Sequence, residues 1–174
     1  MADQAPGTPR PRTIVIGLGN PLLGDDGVGW RVADEVEALL STRRASGEAV
    51  DAVDVQRLGV GGLRLMESLT GYDAAIVVDA AELPDTPLGE VRSCPLADLD
   101  DSAAGHIDSP HDASLSTALA LGRRLGTSLP DTIHAVTIQV RLSDVFSEEL
   151  SPEVADAVPV AAAAVMKLLT PVRS

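Results

Sequence analysis

TIVIGLGNPLLGDDGVG, residues 13–29, runs from a β-branched stretch into a glycine loop and then into two adjacent acids, Asp25 and Asp26. Residues 13–16 are apolar and short, the pattern of a strand covered on both faces. From residue 28 to 40 the apolar side chains Val28, Val32, Val36, Leu39 and Leu40 recur at helical spacing. A strand, a glycine turn and a helix in that order resemble a phosphate-binding loop. A phosphate, however, needs backbone N–H groups and positive charge around it, and here two carboxylates stand in its place.

The same alternation continues along the chain. Residues 50–58, 74–78, 89–93 and 135–140 read as strands, the 89–93 run being the weakest. Residues 61–69, 114–125 and 152–169 read as helices. Strands alternating with helices predict a single-domain α/β three-layer sandwich. Its sheet is twisted and mainly parallel, of about five strands, with helices on both faces and right-handed crossovers. The domain occupies residues 13–174, behind a flexible leader at 1–12. The Asp- and Ser-rich stretch 95–110 reads as a surface loop whose length points to function or mobility.

Composition narrows the classes of function. The 174 residues are 45% hydrophobic but only 2% aromatic, so the core must be aliphatic. The formal net charge is −13, with a pI near 4.4. Such a surface repels nucleic acid and anionic membranes and suits cationic or metal-bearing partners. One cysteine, Cys94, excludes an internal disulfide and a cysteine metal cluster. No apolar run is long enough to span a bilayer. The first twelve residues lack the apolar segment of a signal peptide, which leads to the expectation of a cytoplasmic protein.

In an open α/β sheet, ligands bind beyond the carboxyl ends of the strands. That rule selects Gly17, Gly19, Asn20, Asp25 and Asp26 after the first strand, Asp79 after Val78, and His111 with Asp112 ahead of a helix. Each has a local alternative. Asp25 or Asp26 can cap the helix near Val28, Asp79 can bind turn amides, and His111 can cap the helix at 114. His106 and His134 suit surface or structural roles. Nucleotide binding fits poorly, because Leu22 holds the position of the third glycine of a dinucleotide fingerprint and no P-loop lysine follows. Two carboxylates and one imidazole suit a first-row divalent ion such as nickel or zinc. Ser109, Ser114 and Ser116 near His111 keep a nucleophilic reading open, although no G-x-S-x-G elbow presents them and Cys94 has no neighbouring base.

Four motifs fall together: the 17–29 loop, VVDAAE at 77–82, SPHDASL at 109–115 and LSPEVADAVPVA at 150–161. In that order they resemble the nickel–iron hydrogenase maturation endopeptidases, from about Thr13 to Leu169. The resemblance implies a sheet sandwiched by helices. It also implies an activity: removal of a C-terminal peptide from the hydrogenase large-subunit precursor once nickel has been inserted. The family's metal-contacting acids fall on Asp26 and Asp79, and its histidine on His111, as catalytic and metal-site residues. Nickel would then come from the precursor, with zinc or another divalent ion able to occupy the site in vitro. The implied partner is that precursor, met by a monomer, with no nucleic acid and no membrane insertion. Two departures stand out. Many relatives carry Glu where Asp26 stands, and often a Gly-Ile-Glu-Pro-like stretch near Ile138-Gln139-Val140; the segment onward to Phe146 is expected to tune which precursor is accepted.

Competing readings remain at this point. A peptidyl-tRNA hydrolase-like esterase also has a GLGNP loop, but here acids rather than its catalytic histidine and asparagine follow, and the charge is wrong for tRNA. A non-enzymatic metal- or nucleotide-binding regulator, or a catalytically silent relative, fits the same fold.

Overall fold

Ile14, Val15 and Ile16 are all fully buried, although neighbours in a strand point to opposite faces. The strand they form must therefore be covered on both sides. A computed structural model describes residues 11–48, 52–59, 62–99 and 115–170. Within these, β1 (Arg12–Leu18), β2 (Ala52–Leu58), β3 (Ala74–Ala81), β4 (Val91–Pro95) and β5 (Thr132–Gln139) form a five-stranded sheet in the order β2-β1-β3-β5-β4. All neighbours are parallel except β4, which pairs antiparallel with β5 at one edge.

Four helices cover the two faces. α1 (Val28–Ala45) and α4 (Pro152–Leu169) pack on one side, where Val32, Val36, Ala161 and Val165 meet Val15, Ile76, Val78, Val136 and Ile138. α2 (Gly62–Leu69) and α3 (Leu115–Arg124) cover the other, where Leu65, Leu69, Leu115 and Leu119 meet Ile14, Ile16, Leu18, Val77 and Ala135. Odd and even strand residues thus separate into two aliphatic cores, the three-layer sandwich that the sequence predicts. No described helix is long and apolar enough to cross a membrane.

Boundaries moved in informative ways. β1 begins at Arg12, while residues 1–10 of the leader lie outside the described residues. β3 runs on to Ala81, so Asp79 is inside the strand rather than beyond it. The expected loop from residue 95 opens with Pro95 closing β4 and a 3-10 turn at Leu96–Asp98; residues 100–114 lie outside the described residues.

Strand order sets the position of the site. The chain steps from β1 to β2 on one side and to β3 on the other, so direction reverses between β1 and β3. The crevice above their carboxyl ends is where this architecture binds ligands.

At the opposite end of the sheet, the Tyr72 hydroxyl donates to Asp54 Oδ2 at 2.8 Å, and the Arg12 guanidinium lies 4.7 Å from the ring centre. Burial, then the hydrogen bond to Asp54, raises the Tyr72 phenol above its ordinary pKa. The folded pKa exceeds the unfolded one. This contribution to stability is therefore intact below pH about 10 and is lost as pH rises through the folded value. The chain has one tyrosine, so phenolate absorbance follows Tyr72 alone. Its midpoint is expected above that of the urea-unfolded chain, and equal midpoints would contradict the assignment.

Candidate functional site

Only four polar or charged residues are buried among those described: Asp26, Asp79, Thr137 and Gln139. All four belong to the carboxyl rim of the sheet. Burying such groups is unfavourable unless they are hydrogen-bonded or paired, so their concentration at one edge marks that edge as specialised.

Glycines determine how Asp26 gets there. After β1, Gly19 adopts φ +126°, and a Cβ on it would run into the Asp26 carbonyl. The chain then folds through a 3-10 turn, Gly24–Gly27, directly into α1. A Cβ on Gly17 would strike the Gly29 carbonyl; one on Gly29 would strike the Leu18 carbonyl and come within 2.7 Å of Val78 O. Backbone therefore packs on backbone where α1 starts, across the gap between β1 and β3. The opening loop uses its glycines for this contact, and no anion cradle is formed by them.

That contact sets the two acid-bearing segments side by side. Asp26 lies three residues before Gly29 and is 4% exposed; its Oδ2 accepts from the Asn20 N–H at 2.8 Å. Asp79 follows Val78 and is fully buried, with Oδ1 accepting from the Ala80 N–H at 2.9 Å. The 3-10 turn that carries Asp26 packs against β3, which carries Asp79. Asp79 shares the sheet face of Val77 and stands beside Thr137 of β5 in register.

Asp25 has a different task. Its Oδ1 accepts from the Ser151 N–H at 2.6 Å and its Oδ2 from the Ser151 hydroxyl at 2.8 Å. Ser151 is the N-cap of α4, so Asp25 supports a helix 126 residues away. The expectation that Asp25 or Asp26 caps α1 is corrected: its N-cap is Gly27, with no side-chain cap. Asp25→Ala removes both bonds and leaves a cap amide unsatisfied, an expected loss of about 1–3 kcal/mol in urea unfolding. An unchanged midpoint would deny Asp25 this role.

Other sequence candidates separate. His111, with His106, Asp112, Ser109 and Ser114, lies outside the described residues. Among the described residues, no group of three His, Cys, Asp or Glu side chains could hold a metal. His134 pairs in register with Ile76 in the body of the sheet, and Cys94 with Ala135; both are only partly buried, and neither belongs to the rim.

Thr137 is not among the sequence candidates and Gln139 stands there only as a departure from the family pattern, though their signal is present: two polar side chains at period 2 inside the apolar run HAVTIQV. Gln139 has a structural role. Its Oε1 accepts from the Leu83 N–H at 3.0 Å and its Nε2 donates to the Leu83 carbonyl at 3.1 Å. The amide thus imitates a strand and fixes the chain leaving β3. Beside it opens a cleft of about 550 Å³, lined by Glu82, Leu83, Asp85, Gln139 and Arg141 among others.

Comparison with known proteins gives the rim its context. The family model for hydrogenase maturation protease matches residues 31–168. A hydrogenase 2 maturation peptidase from a Thaumarchaeota archaeon is 31% identical, with TM-score 0.62 over 91% of this chain and 97% of that one. The [NiFe] hydrogenase maturation protease HybD from Thermococcus kodakarensis is 25% identical, with TM-score 0.66 over 91% and 99%. The hydrogenase maturating endopeptidase HybD from E. coli, at 22% identity and TM-score 0.65 over 91% of each chain, shares the fold. No curated protein sequence matches the chain. With most of its length matched by the family model and its sheet matched by these structures, the chain belongs to the hydrogenase maturation proteases.

Proposed function

We propose that this protease removes a C-terminal peptide from a nickel-loaded hydrogenase large-subunit precursor, and that Asp26 and Asp79 read the nickel together with His111. The observation that carries the proposal is the pair of buried carboxylates gathered at the β1–β3 crevice. Carboxylate oxygens and an imidazole nitrogen suit a divalent first-row ion. A carboxylate buried at the rim would be stabilised by an arriving cation.

The fold supports the inclusion of His111. α3 ends next to the entry of β5, where Arg123 donates to the Pro130 carbonyl, so its first residue faces the carboxyl end of the sheet. Leu115 there packs in the same core as Leu18 and Val77. His111 precedes Leu115 by four residues, a span of at most about 14 Å. Nickel is cargo of the precursor in this scheme. Asp26, Asp79 and His111 would hold it and it would polarise an oxygen ligand, while the carboxylates would orient the precursor's tail at the crevice. Family membership favours this over the esterase and regulator readings.

The test is incubation of the purified protein with nickel-loaded and nickel-free precursor. The loaded precursor is expected to lose its C-terminal peptide and the empty one to remain intact. Cleavage of both, or of neither, rejects nickel reading. Calorimetry with nickel and zinc on the isolated protease is expected to show weak binding of either, well short of a stored cofactor.

A further inference from the structure

The chain contains one phenylalanine, and it is displayed rather than buried: Phe146 is 82% exposed. Its neighbour Val145 is 71% exposed, and Leu142 and Leu22 nearly half. Scattered exposed aliphatics are ordinary, but a contiguous group beside a site marks an interaction surface. Leu22 and Phe146 are brought together by the backbone. The Ser147 N–H donates to the Leu22 carbonyl at 3.0 Å, and the Gly24 N–H to the Ser147 carbonyl at 2.7 Å. Leu23 and Ser147 form an isolated parallel bridge.

This segment is fastened in place. Val145 N–H bonds the Ser143 hydroxyl, Arg31 donates to the Glu148 carbonyl, and Asp25 holds Ser151. The apolar group is thus presented by a pinned loop, preorganised for contact. It joins, through the Leu23–Ser147 bridge, the turn that carries Asp26. Exposed acids fringe it: Asp144, Glu148 and Glu149.

We infer that Leu22, Val145 and Phe146 form a docking seat for an apolar segment of the precursor that is flanked by basic side chains. This rests on the function proposed above and adds the surface that selects the substrate. An apolar anchor supplies the affinity, and the acidic fringe favours a cationic partner and speeds encounter.

The test is the double variant Val145→Ser, Phe146→Ser. Both side chains are solvent-exposed, so the melting temperature should not move. With nickel-loaded precursor, kcat/KM is expected to fall roughly 10- to 100-fold through KM, with kcat nearly unchanged. Phe146→Leu should recover most of the loss. Neutralising the fringe with Asp144→Asn, Glu148→Gln and Glu149→Gln should weaken binding a few-fold and flatten its salt dependence. Unchanged kcat/KM in the double variant overturns the inference, as does a fall in kcat with KM constant. So does a wild-type dimer that the double variant dissolves without changing kcat/KM, which would make the patch a contact between copies. Precursor binding measured by fluorescence anisotropy separates the two proposals. Wild-type binding that the double variant loses, without cleavage by either, sustains the seat and rejects the protease scheme. Absence of binding to wild type rejects both.

Discussion

Asp79→Asn is expected to abolish processing of a nickel-loaded precursor, with a rate loss of at least about 10³-fold, while the protein stays folded. The substitution keeps the side chain's volume at a fully buried position and keeps an oxygen to accept from the Ala80 N–H. What it removes is a carboxylate's capacity to bind a cation. Asp26→Asn should act likewise, since an amide oxygen can still accept from Asn20. Alanine at either position also creates a local void and strands an amide donor, adding about 1–3 kcal/mol of destabilisation. The asparagine variants therefore give the cleaner reading. Their check is a gel assay of precursor cleavage beside a thermal melt. Asparagine variants that cleave at the wild-type rate would remove both carboxylates from the mechanism.

The contrast with Asp25 shows what could be read from the chain and what could not. Adjacent acids in a glycine loop announce a specialised turn. Their partners differ: Asp25 binds Ser151, remote in sequence, whereas Asp26 accepts from the Asn20 N–H close by. No local pattern links residue 25 to a helix cap 126 positions on. The strands and helices were legible because burial on two faces imposes unbroken β-branched runs, and single-face burial imposes helical spacing.

Edges were less legible. The expected strand at 89–93 is displaced to Val91–Pro95. Gly89 has φ +77° and its missing side chain makes room for the backbone of Glu153 in α4. A tertiary contact thus fixes the start of β4. The dinucleotide comparison sought a third glycine at position 22, whereas the close helix–strand approach it provides is made here by Gly17 and Gly29.

That approach carries the other large prediction. Gly29→Ala places a methyl group against the carbonyl oxygens of Leu18 and Val78, one of which would lie 2.7 Å from the added carbon. Both oxygens belong to strands in the centre of the sheet, and neither can rotate away. The first turn of α1 must lift instead. Overpacking of this kind destabilises by about 1–3 kcal/mol or more, a large share of the roughly 5–15 kcal/mol that holds a domain together. The lift also carries Asp26 away from Asp79, because the turn bearing Asp26 leads straight into that helix. Displacing a reacting group by about 1 Å can lower a rate 10²-fold, so processing should fall even at temperatures where the variant is fully folded. Trp30 makes the movement visible. It is the only tryptophan, adjoins Gly29, and donates from Nε1 to the Leu58 carbonyl at 3.1 Å. Its fluorescence should shift to the red as that bond loosens. Gly29→Ala with native stability, an unshifted Trp30 spectrum and full activity would show that the crevice does not depend on backbone packing at the start of α1.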